Sequence, residues 1–225
     1  MSILFIKLGD FANIFLMQVF RVTTSQESNL SLLCRLAQPV EELFYKGPLL
    51  DLLNQPRVAI VGSRKATPYG RFVTIKLATE LARAGVVIIS GLALGIDSIA
   101  HQACLQAGGR TIAVLPSSVS RVYPAQHRQL AQEITTQGGA LVSEYSDTPS
   151  LPMKYQFIAR NRIIAGLAQG VIITVAAQRS GSLHTANFAL EQGIDVFAVP
   201  GNISSANSAG TNNLIKTGAQ PITEA

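Results

Sequence analysis

From Arg57 onward one pattern recurs along the chain. A short run rich in β-branched residues is followed by a glycine-bearing loop. An apolar stripe at helical spacing comes next and closes on glycine. Val58–Val61 is the first predicted strand, with residues 62–65 as its loop. Pro68 and Gly70 lead into a predicted helix over Arg71–Ala84, whose apolar face is Phe72, Ile75, Leu77, Leu81 and Ala82. Gly85 stands where a helix is closed by a left-handed residue. Further strands are predicted at Val86–Ser90, Thr111–Leu115, Ala140–Ser143, Val171–Ala176 and Val196–Val199. Helices are expected over Ile96–Ala107, from Pro124 to Gly138, over Phe157–Leu167, from Ser182 up to Gly193, and over Thr211–Thr217.

Strands that are apolar on both faces and alternate with helices need cover on both sides. The pattern therefore predicts an α/β fold: a Rossmann-like, doubly wound, mostly parallel sheet with helices on both faces. Ligands of such sheets bind beyond the C-terminal ends of the strands, where loops and helix N-termini collect. Residues 51–225 are expected to form this domain. Residues 1–50 are expected to be an N-terminal helical segment, an incomplete domain or a leader. Met1–Phe20 is apolar, but Lys7, Asp10 and Asn13 interrupt it and no small-residue cleavage site follows, so neither a membrane anchor nor a signal peptide is expected.

Composition narrows the picture. The 225 residues are 48% hydrophobic and 14% charged, which excludes a disordered chain. Cys34 and Cys104 make no disulfide framework and have no partners at metal-ligand spacing, so no metal and no cofactor are expected, and a cytoplasmic location is. Residues 1–51 carry a net charge of −1 and residues 52–225 one of +6, a moderate bias toward a polyanionic partner.

Four segments at the binding edge have chemistry to offer. The turn Gly62-Ser63-Arg64-Lys65 joins a strand to a helix and combines a hydroxyl, a guanidinium and an ammonium, yet it is neither a dinucleotide fingerprint nor a P-loop. In Ser90-Gly-Leu-Ala-Leu-Gly-Ile-Asp97, Gly91 and Gly95 are expected to let backbone approach a ligand, and Asp97 to be structural. Lys154, Phe157, Arg160, Asn161 and Arg162 place cations beside an aromatic, as a single-strand binder needs. Arg160 and Arg162 would project about 200° apart on a helix, so one of them is expected to meet an acidic side chain internally. Ser180, Gly181, Ser182 and Thr185 surround a further helix start suited to anions. No paired carboxylates or nucleophile–base pair stand out. Ser182 and His184 lack a nucleophile elbow, and Glu144 is alone. Binding is expected rather than catalysis.

Together these segments resemble the DNA-processing protein A (DprA/Smf) family. The strings that carry the resemblance are Val58-Ala-Ile-Val-Gly-Ser-Arg64, the Ser90–Asp97 loop, Tyr123-Pro124, Gly138-Gly-Ala-Leu-Val-Ser-Glu-Tyr145, Arg160-Asn-Arg-Ile-Ile-Ala-Gly166, Ser180-Gly-Ser-Leu183 and Gly210-Thr-Asn-Asn-Leu-Ile-Lys-Thr-Gly-Ala219. They run in order from about Leu30 to Ile222. The resemblance implies a protein, not an enzyme, that binds single-stranded DNA, protects it from nucleases and loads the RecA recombinase in natural transformation. It also implies a homodimer formed through the Rossmann-like domain. The DNA pocket would comprise Ser63, Arg64, Lys65, Lys154, Phe157, Arg160 and the Ser180–Ser182 loop. The family's C-terminal winged-helix domain and most of its N-terminal helical domain are expected to be missing. The competing expectation is an enzyme like the lysine-decarboxylase-like phosphoribohydrolases. Their Pro-Gly-Gly-x-Gly-Thr loop followed by Glu has Gln178-Arg-Ser-Gly-Ser-Leu183 in its place here.

Overall fold

A computed structural model describes residues 18–146 and 154–225. The leader expected at Met1–Phe20 lies, up to Met17, outside the described residues. Nine strands form one sheet: β1 (Phe20–Thr23), β2 (Glu42–Lys46), β3 (Arg57–Val61), β4 (Val87–Ser90), β5 (Thr111–Val114), β6 (Ala140–Ser143), β7 (Gly170–Ile173), β8 (Asp195–Ala198) and β9 (Gln220–Pro221). Their spatial order is β1-β2-β6-β5-β4-β3-β7-β8-β9. The run from β6 to β9 is parallel throughout, and β1 and β2 are added antiparallel at one end.

Side-chain alternation divides each central strand between two layers. Ala59 and Val61 of β3 face one core and Ile60 the other, and Val87 and Ile89 against Ile88 repeat this in β4. The second layer is covered by α1 (Pro68–Arg83) and α2 (Ile96–Gln106), with α3 (Arg128–Thr136) packing on Ala113 and Leu141. The first is covered by the helical turns Ser31–Cys34 and Leu49–Leu52 and by helices from the second half of the chain. These are α5 (Asn161–Leu167), preceded by the short α4 (Lys154–Ala159), then α6 (Ser182–Glu191) and α7 (Ala209–Lys216). The α1 start is capped as its sequence dictates: the Thr67 hydroxyl accepts from the Gly70 N–H at 3.0 Å, and Pro68 occupies the first turn.

Two expectations change here. Residues 18–50, the described part of the expected N-terminal segment, are not separate from the sheet. They supply β1 and β2 to the same sheet, and Leu30, Leu33, Val40 and Leu43 enter the first core. The pairing is fixed by side chains across the ladder, with Phe20 stacked on Tyr45 and Arg21 3.3 Å from Glu42. The helix expected over Phe157–Leu167 is two helices, α4 and α5, interrupted at Arg160. No helix among the described residues is long and apolar enough to cross a membrane.

Candidate nucleic-acid interface

Strand order reverses between β3 and β7. The chain steps outward from β3 to β6 in one direction, then returns to β7 and proceeds the other way. The loops after these neighbours diverge and leave a crevice at the C-terminal edge. A cleft of about 380 Å³ fills it, bounded by Gly62 and Arg64 after β3, Ala93 and Asp97 after β4, α4 and α5, and the start of α6.

Arg64 is exposed at the rim, with its guanidinium carbon 5.3 Å from the centre of the half-buried Phe157 ring. This cation–π contact holds a charge over the aromatic ring. On the opposite wall Ser182 and Thr185 are buried, and the Ser180 and Ser182 hydroxyls lie 2.9 Å apart at the first turn of α6. The Leu183 and His184 N–H groups already donate to Ser180 O and Gly181 O at 3.1 and 3.3 Å, so this wall offers an anion its hydroxyls and the positive end of the α6 dipole. The cleft therefore joins an aromatic ring, an exposed cation and a hydroxyl-bearing helix start within one opening.

Arg160 plays another part than the one expected. Only 4% exposed, it donates to Gly91 O at 2.5 Å and to Val114 O, and its Nε reaches Asn161 Oδ1 at 3.3 Å. It thus clamps the ends of β4 and β5. Burial pulls its pKa down to about 10, with Asp97 opposing that shift and Arg64 adding to it, so it stays charged at neutral pH. Asp97 accepts from the Gly91 and Ala93 N–H groups at 3.2 and 3.4 Å. Burial raises its carboxyl pKa, while Arg160, these N–H groups and Arg64 pull the other way.

Arg162, also among the expected contacts, is the arginine of the two that meets an acidic side chain internally. Its guanidinium pairs in two-pronged fashion with Glu144 at 2.8 and 2.6 Å and donates through Nε to Gln38 O at 3.0 Å. It ties α5 to the end of β6 and to the N-terminal loop, outside the lining of this cleft. Gly91 and Gly95 do permit close approach, but to protein. A β-carbon at residue 91 would fall on the Arg160 guanidinium, and one at residue 95 on the Ser63 and Arg64 backbone, where Gly95 also has φ +83°. Asn161 is buried and donates to Gly181 O at 3.3 Å. The Ser63 hydroxyl is engaged in its own turn, accepting from the Lys65 N–H at 3.1 Å. Lys65 and Lys154 are exposed and stand outside the cleft lining.

Of the expected contacts, the structure thus brings Arg64, Phe157, Ser180, Gly181, Ser182 and Thr185 to one opening, with Arg160 and Asn161 beneath it. Tyr123 was absent from the expected set. Its ring meets Phe157 edge to face, with centroids 5.4 Å apart. The available signal was an aromatic residue in the loop after β5, on the binding edge. Among the described residues no three His, Cys, Asp or Glu side chains gather as metal ligands.

The model of the family described as DNA recombination-mediator protein A matches residues 21–225. Over 183 residues the chain is 49% identical to Protein Smf of Escherichia coli K12, covering 81% of this chain and 48% of that protein. Over 181 residues it is 47% identical to the DNA processing protein DprA of Streptococcus pneumoniae, covering 80% of this chain and 63% of that one. The chain therefore spans about half to just under two thirds of these relatives. Among solved structures, S. pneumoniae DprA superposes with a TM-score of 0.83 at 40% identity, over 96% of this chain and 75% of that one. A Helicobacter pylori DprA structure, described as giving insight into that protein's single-stranded DNA binding mode, superposes with a TM-score of 0.81 at 37% identity, over 92% of both chains. A molybdenum cofactor binding protein from Rippkaea orientalis, at 22% identity and a TM-score of 0.52, shares the fold.

Proposed function

This chain belongs to the DNA recombination-mediator protein A family, and on that premise we propose that it binds single-stranded DNA, protects it and presents it to the RecA recombinase during natural transformation. The observation that carries the reading is the Arg64 guanidinium over the Phe157 ring at the mouth of the cleft. A nucleobase has a π face whatever its identity, so an aromatic platform flanked by cations binds single strands with little sequence preference. The phosphates are met by Arg64 and by the α6 start, with Lys65 and Lys154 adding charge outside the cleft.

The protein acts as a binder, not as an enzyme. Among the described residues the one carboxylate on the cleft wall is Asp97, buried and committed to the Gly91 and Ala93 N–H groups, an arrangement that supports structure rather than acid–base exchange. Homodimer formation and a soluble cytoplasmic location belong to the same reading.

The test is digestion of end-labelled oligo-dT by a single-strand exonuclease, with and without stoichiometric protein. Protection of the strand is expected, together with no release of free base from nucleoside monophosphates above a boiled control. Full digestion, or base release, would overturn the proposal.

A further inference from the structure

Resting on the single-strand reading above, we propose that the cleft holds one of two successive nucleotides and that Tyr123 is the stacking platform for the other. A second cavity, of about 170 Å³, adjoins the cleft on the far side of the Arg64–Phe157 pair. Arg64, Phe157 and Arg160 border both spaces, and Tyr123, Pro124 and Gln126 close the second one. Its size suits a nucleobase, with the sugar and phosphate remaining outside.

Two features make this space a continuation of the strand's path. First, Tyr123 is 39% exposed, so part of its ring is open even though its neighbour packs against it. The Tyr123 and Phe157 rings are inclined at 71° with centroids 5.4 Å apart. A base flat on one ring stands edge-on to the other, so the pair addresses two bases, and the strand turns between them. Second, the lining carries Arg64 and Arg160 and, among the described residues, no Asp or Glu. The phosphate that links the two nucleotides crosses beside Arg64, the exposed cation that borders both spaces, while Asp97 on the cleft wall is tied to the Gly91 and Ala93 N–H groups.

The alternative role for Tyr123 is a buttress that only orients Phe157. The two roles differ in how substitutions combine. Oligo-dT affinity is measured by fluorescence anisotropy at low salt for the parent, Y123A, F157A and the double variant, each checked for folding by circular dichroism. Tyr123→Ala is expected to weaken binding roughly tenfold, as loss of a stacking platform does. The same factor should persist when Phe157 is already Ala. The dependence on salt should be unchanged, because the phenol ring releases no counterion. Tyr123→Phe and Tyr123→Trp, which keep a ring, should bind within about threefold of the parent. Disappearance of the Tyr123 effect in the Phe157→Ala background, or parental affinity in Y123A, would overturn this inference alone. A parent chain that fails to bind oligo-dT would overturn the underlying reading as well.

Discussion

The Arg160 guanidinium occupies the space that a side chain on residue 91 would need, and it donates to the carbonyl of that same Gly91 at 2.5 Å. The glycine and the arginine are one device. Gly91 leaves room for a buried cation, and the cation satisfies the carbonyls at the ends of β4 and β5 that the parallel ladder leaves open. Gly91→Ala should therefore destabilise the fold by about 2 kcal/mol, the usual range for overpacking a buried position. Urea unfolding measures it, and an unchanged midpoint would contradict this account of the residue pair.

Arg64 is a ligand contact in this account, in contrast to Arg160. Arg64→Ala should weaken oligo-dT binding by about 1.5–3 kcal/mol, the range for a charge-assisted hydrogen bond. The slope of log affinity against log salt should become shallower by about 0.7, the single-strand value for one phosphate. Folding should hardly change, since Arg64 is exposed. Arg179→Ala, in the exposed loop before α6, should cost less. Parental affinity and slope in a folded Arg64→Ala variant would remove Arg64 from the site.

His101 gives the fold a dependence on pH. The Thr111 hydroxyl donates to Ile88 O at 2.6 Å, so the 2.7 Å contact with His101 must be Nδ1–H donating to Thr111 Oγ1. Nε2 is then a bare, buried lone pair without a partner among the described residues. Burial, with His127 and Arg160 nearby, lowers the His101 pKa to about 3. Below its ordinary value of 6.5 the unfolded chain takes up a proton that the native state refuses, so stability falls as pH drops from 6.5 toward 3. Between pH 7 and pH 5 this amounts to about 2 kcal/mol. Unfolding titrations at both values should show that loss in the parent and not in His101→Gln. Parallel losses in the two proteins would contradict the assignment.

Much of the site was legible because a doubly wound sheet has one binding edge. Once β3 and β7 were read from their apolar runs, the loops at residues 62–65 and 178–182 had to meet near the reversal of strand order. Strands β1 and β2 escaped notice for the opposite reason. Phe20–Thr23 and Glu42–Lys46 lie at the end of the sheet and mix apolar with polar residues, so neither shows the continuous apolar run of the central strands. The directions taken by Arg160 and Arg162 were only half legible. Their spacing on a helix required them to diverge, but which one met a carboxylate depended on Glu144, eighteen positions earlier and on another strand end. Tyr123 reaches Phe157 across a still longer separation, which no local pattern records.

Dimer formation has its own test. Ile203, in the loop after β8, is 96% exposed, and Phe72 on α1 is 66% exposed, so apolar side chains are available at the surface for a second copy. Strand β9 pairs with β8, so the β8 side of the sheet is covered in part by the chain itself. Light scattering at tens of micromolar should return twice the 23.9 kDa chain mass. A monomeric mass would contradict the homodimer.

The claim on which the rest depends is that the cleft takes a single strand. Fluorescence anisotropy of labelled oligo-dT and of a duplex of equal length, each at two salt concentrations, tests it most directly. The account predicts tighter binding of the single strand at both concentrations, because Phe157 needs an unstacked base, and weaker binding of both ligands at the higher salt. Duplex bound as tightly as oligo-dT, or more tightly, would contradict it.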